Sequence, residues 1–127
     1  MVYALNVFNL LPEKENDYRE YSIKAGKIIY SKGGKVITSG WKPIRNIHGD
    51  IQRKYMIVVE FPSEKIFQEF LNEAEEDNIH ILREESTKDY IWTLYENWDI
   101  RDWVNIKWVR FINNSGDNDS AQISDLK

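Results

Sequence analysis

Cysteine is absent from the 127 residues, so no disulfide framework and no Cys-based metal site is available to this chain. Histidine is scarce: His48 and His80 are the only two, far apart and without a second donor at ligand spacing, so no metal site is indicated. No apolar run approaches the roughly 20 residues needed to cross a bilayer. Basic surplus is missing too. With a net charge of -4 and a pI near 5.2, the chain lacks the cationic excess that general binding to nucleic acid or anionic membrane requires. There is no GxSxG elbow and no phosphate-cradling glycine loop, since Gly33-Gly34 is explained as a helix stop. No cofactor is indicated. The start, MVYALNVFNLLPEKEND, has neither a basic leader nor a small-residue cleavage site, and the expected location is cytoplasmic.

What is present is an ordinary globular composition, 42% hydrophobic and 30% charged, at the length of one domain. Val2 to Leu11 alternates partially and predicts a first strand that Pro12 interrupts. From Glu13 the period becomes helical: Tyr18, Tyr21, Ser22, Ala25, Ile28 and Ile29 share a face, with acids early and lysines late. Gly33-Gly34 stops this helix, because a left-handed cap disfavours any Cβ. KVITSGW and KYMIVVEF then read as two strands that pair, joined by a projecting linker of about a dozen residues containing Pro43, Asn46, His48, Gly49 and Asp50. Pro62-Ser63 caps a second helix with Ile66, Phe67, Phe70, Leu71 and Ala74 on one face. IHILREEST suggests a short turn of helix, and DYIWTLYE a fourth strand.

The expected order is therefore βαββαβ: an α+β, ferredoxin-like arrangement with two helices on one face of a four-stranded antiparallel sheet. The domain is expected over residues 1–112, with a Trp-rich C-terminal extension from about residue 98, and residues 113–127 as a disordered polar tail. Periodicity leaves open whether WDIRDWVNIKWVRF is a strand or, with Asp99 as N-cap, a short helix.

The candidate functional residues follow from chemistry and placement. His48, beside Asp50 in the long linker, is the candidate proton shuttle. Arg45 and Arg53 are candidate anion anchors, and Asn6, Trp41 and Tyr55 candidate orienting groups for a small molecule. Tyr18 and Tyr21 read as core, whereas Trp41, Trp92 and Tyr95 suggest a pocket on the open sheet face. Asn6 and Thr38 are polar interruptions of strands, with Tyr55 and Thr93 expected to join one or other of them. A second reading makes Trp98 to Phe111 a docking surface for a protein partner. A third, the RNA-recognition motif, shares the element order, but Met56 and Val58 stand where its two stacking aromatics belong.

The combination of Asp17-Tyr18 and Tyr21, then KGGKVITSGW, then VVEFPSEKIFQEFL resembles the dimeric α+β barrel superfamily, and most of all its small bacterial branch known as DUF1330. The likeness covers roughly the first 97 residues. It lacks the Ser-Pro-Glu-Tyr-like segment that often follows the second helix, and the Trp-rich extension has no counterpart. The resemblance implies a homodimer formed by two open sheet faces, and a pocket between sheet and helices of the kind used by cofactor-independent monooxygenases and isomerases. It carries no catalytic motif over to this chain, so whether the protein is an enzyme stays open.

Overall fold

The computed structural model describes residues 1–104. A nine-residue first strand, β1 (Val2–Leu10), leads through a turn at Pro12 into helix α1 (Glu15–Ser31). Strands β2 (Lys35–Trp41) and β3 (Tyr55–Phe61) follow, then helices α2 (Glu64–Glu76) and α3 (His80–Ser86), and strand β4 (Thr87–Glu96). The four strands form one antiparallel sheet in the order β2-β3-β1-β4. This is the ferredoxin-like α+β arrangement with one additional helix, α3, where the sequence suggested a short turn of helix.

Register decides which residues the sheet buries. Ala4, Asn6 and Phe8 of β1 point to the helical layer, opposite Val59, Ile57 and Tyr55 of β3, because alternate residues share a face. On β4 the same layer receives Trp92 and Leu94, paired with Asn6 and Ala4. The core forms where these meet Tyr21, Ala25, Ile28 and Ile29 of α1, Phe70 and Ala74 of α2, and Ile79. The opposite face carries Tyr3, Leu5, Val7, Met56, Val58, Ile91, Thr93 and Tyr95, and among the described residues of the first unit none of the helices packs on it. Asn6 and Tyr55 therefore share the helical face, and Thr38 and Thr93 the open one. Trp41 and Trp92 lie on the helical face rather than the expected open one, because Trp41 pairs with Tyr55 and Trp92 with Asn6; Tyr95 is on the open face.

Local signals act as anticipated at the helix boundaries. Gly33 has φ 84, and Gly34 packs so closely that a Cβ there would lie 2.9 Å from the Glu60 carbonyl oxygen. Ser63 accepts a 3.1 Å hydrogen bond from the Ile66 N–H, the N-cap bond of α2. Past α2, Asn78 takes φ 58, and the Ile79 N–H returns to the Ala74 carbonyl, a left-handed stop that leaves the acidic helix end without glycine.

The chain divides into two compact units, the first Met1–Asn97 and the second beginning at Trp98. Within the second, Asp99 caps a 3₁₀ turn, Ile100–Asp102, by accepting from the Arg101 N–H, and the rings of Trp98 and Trp103 meet edge-on at 4.9 Å. Trp108, Phe111 and the tail expected over 113–127 lie outside the described residues. Among the described residues no helix is long and apolar enough to cross a membrane.

Candidate functional site

Between α1 and the helical face of the sheet lies a cavity of about 100 Å³. Ala4 and Asn6 of β1, Ile57 of β3, and Tyr90 and Trp92 of β4 form its sheet side; Tyr18, Tyr21, Ala25 and Gly26 form its helical side. The helical period produces the second set, since 18, 21, 22, 25 and 26 fall on one stripe. Gly26 is the unusual member. A glycine inside a helix costs about 1 kcal/mol relative to alanine, yet a Cβ at this position would meet nothing within 4 Å. No close approach demands the glycine; its effect is to leave the cavity open.

Three phenols and one amide set the polarity. The Tyr90 hydroxyl donates to Asn6 Oδ1 at 2.6 Å, while Asn6 Nδ2 makes only a long 3.4 Å bond to the Ile57 carbonyl. Asn6 is 5% exposed, so its presence in mid-strand rests on these bonds, a buried amide without them being costly. Burial raises all of Tyr18, Tyr21 and Tyr90 above the ordinary phenol value, with neighbouring phenols acting in the same direction on Tyr18 and Tyr90. They are hydroxyl donors at neutral pH. The indole Nε1 of Trp92 is buried and has no hydrogen-bond partner. Buried N–H groups are nearly always paired, and an orphaned one calls for an explanation.

Arg83 completes the cluster from α3. Its guanidinium lies 4.9 Å from the Trp92 ring centre, 5.6 Å from Tyr21 and 5.8 Å from Tyr90, cation–π distances for three wall residues. Nη1 donates to the Tyr21 hydroxyl at 3.4 Å. The turn that carries Arg83 is fixed: its carbonyl accepts from the hydroxyls of Ser86 and Thr87, and Ser86 is fully buried with its own carbonyl bound by the Leu11 N–H.

The residues singled out from sequence are divided between this cavity, two neighbouring hollows and the exposed linker. Asn6 is in the cavity wall. Trp41 and Tyr55 line an adjoining hollow that shares Tyr18 and Ile57 with the cavity. Trp41, Tyr55 and Arg53 line a further open cleft of about 390 Å³ at the base of the 42–54 linker. Arg53 Nε is anchored on the Asp89 carbonyl at 2.7 Å, and the Lys54 N–H on Asn9 Oδ1 at 2.9 Å. Arg45 and His48 are exposed in the linker and outside the walls of these hollows. Asn46 organises the loop around them through the Gly49 carbonyl and Gln52. Among the described residues no group of three His, Asp or Glu side chains converges on a metal position.

Sequence reasoning passed over Tyr90 and Arg83, put Trp92 in a pocket on the open sheet face, and assigned Tyr18 and Tyr21 to the core. They do belong to the core, and they are also a wall. Gly26 was the available signal: a glycine in the middle of an otherwise strong helix, on its buried stripe.

The sequence pattern described as Domain of unknown function (DUF1330) matches residues 3–95. Among solved structures, a protein of unknown function from Rhodopseudomonas palustris is 20% identical with a TM-score of 0.67, over 77% of this chain and 82% of its own. A protein from Agrobacterium tumefaciens is 14% identical with a TM-score of 0.54, over 77% of this chain and 94% of that one. A dabb family protein with a ferredoxin-like fold from Mesorhizobium loti is 14% identical with a TM-score of 0.51, over 77% and 97%. At these identities the likeness is one of fold. No curated protein matches the chain. The pattern spans every strand and helix that builds the cavity, and the chain belongs to the DUF1330 family of the ferredoxin-like α+β fold.

Proposed function

We propose that this protein is a cytoplasmic homodimer that binds a small molecule in the cavity between α1 and the sheet. The observation that carries this reading is the Trp92 indole N–H, buried in a cavity-lining residue with no partner in its own chain. A ligand acceptor would satisfy it. Asn6, Tyr18, Tyr21 and Tyr90 supply orientation, and the hollow lined by Trp41 and Tyr55 supplies the approach. Arg53 collects the ligand at the outer cleft. The dimer is supported by the uncovered apolar sheet face, where Ile91 and Tyr95 are 47% and 52% exposed; a two-fold partner would cover this face.

Binding is favoured over acid–base catalysis inside the cavity. Its wall contains no carboxylate or imidazole, and its phenols are held protonated. The test is titration of the ¹⁵N-labelled protein with a deproteinated small-molecule extract of its host, following the indole N–H resonance of Trp92. A saturable shift of that resonance is expected. If fractions spanning the extract leave it unmoved, the cavity reading fails.

A further inference from the structure

We propose that the molecule taken by this cavity is a small organic anion, a carboxylate on a short apolar body, held by donation from Tyr21 and Trp92 and by the charge of Arg83. This rests on the cavity being a binding site, and it adds what kind of molecule the site selects.

Hydrogen-bond supply comes first. The Tyr90 hydrogen is spent on Asn6 Oδ1 at 2.6 Å and the Ser22 hydrogen on the Tyr18 carbonyl at 2.9 Å, whereas Trp92 and Tyr21 keep theirs. Trp92 Nε1–H is unpartnered. Tyr21 receives a hydrogen bond from Arg83 on its oxygen, so its own hydrogen is available, and a hydroxyl that accepts from a cation donates more strongly. Burial keeps that phenol protonated. A ligand rich in acceptors fits this supply; one bearing an ammonium would meet donors and a guanidinium.

Charge gives a second, independent indication. The Arg83 side chain is 16% exposed, and its ion-pair partner, Glu84, stands 3.8 Å away and is itself 60% exposed. A part-buried cation whose carboxylate partner is solvated and 3.8 Å away is weakly compensated. A carboxylate in the cavity would compensate it through Tyr21, the wall residue to which Arg83 donates. The outer cleft agrees in sign: Lys42, Arg53 and Lys54 line it without any Asp or Glu, although the chain as a whole carries a net charge of -4. A cationic mouth on an acidic protein concentrates anions there.

Size bounds the body. An apolar cavity of about 150 Å³ accepts benzene. A cavity of about 100 Å³ walled by Ala4, Ile57, Val59 and Phe61 suits about four non-hydrogen atoms on the same scale, the carbons of a short branched acid whose carboxylate oxygens meet the donors.

The experiment compares isobutyrate with isobutanol and isobutyramide, which match it in shape and lack its charge. Each is titrated into the full-length protein, with affinity read from the Trp92 indole resonance, assigned with Trp92→Phe. Isobutyrate is expected to saturate the shift and to bind at least roughly tenfold more tightly than either neutral compound. Tyr21→Phe and Arg83→Gln should each weaken isobutyrate far more than isobutanol and so remove that preference. Should Arg83→Gln fail to fold, Tyr21→Phe carries the comparison, since it deletes one oxygen and keeps the ring. Equal affinity for acid and alcohol would overturn the anion assignment and leave the cavity reading standing. Absence of binding by all three would overturn both.

Discussion

Gly26 is the residue at which stability and binding are set against each other. Alanine there meets no atom within 4 Å and relieves the helix of glycine's backbone entropy, so Gly26→Ala should raise unfolding stability by about 0.5–1 kcal/mol in urea melts. The same methyl group narrows the cavity and should weaken the ligand-induced shift of Trp92. The buried phenols give a pH signature. Tyr18, Tyr21 and Tyr90 are all raised above the ordinary value of 10.0, so above about pH 10 the native state binds more protons than the unfolded chain, and stability falls as pH rises. The urea midpoint should be insensitive to these groups below about pH 9.5 and decline above it. The diagnostic comparison is Tyr18→Phe, which should show a shallower decline than wild type. An identical decline would mean that Tyr18 is not held protonated by burial.

The boundaries of the elements were readable from sequence wherever one residue's local chemistry decides them. Ser63 is such a case: its side chain caps α2 through the Ile66 N–H, and Ser63→Ala should cost about 1 kcal/mol in a urea melt. The Gly33-Gly34 stop is another, and Gly34 does more than end a helix, because a Cβ would press on the Glu60 carbonyl and on Ile29. The continuous apolar run of β3 and the period of α1 likewise placed their elements. Less legible were features that depend on partners remote in sequence. The side to which Trp92 turns is fixed by its pairing with Asn6, 86 residues earlier. The length of α3 depends on Ser86 and Thr87 folding their hydroxyls back onto its last carbonyls, and no apolar stripe announces that. The cavity cluster joins α1, α3, β1 and β4, so single-segment patterns could name Asn6 but not the set around it.

At the scale of the whole molecule, helices fill one sheet face, and the proposed dimer would cover the other. Ile91 lies on the uncovered face, opposite Val7, and Ile91→Glu would place a charge at the centre of a two-fold interface. Sedimentation should show a dimer for wild type and a shift to monomer for this variant; a monomeric wild type would remove the dimer from the account. The cavity is on the other face, behind α1, so the loss of the dimer and the loss of the ligand should be separable. The most direct measurement is native mass spectrometry of the full-length protein isolated from its own host, beside Gly26→Leu, whose side chain would occupy the cavity. Wild type should carry a reproducible small-molecule mass that the variant lacks. Retention of the same mass by Gly26→Leu, or bare protein in both, would contradict a binding site under α1.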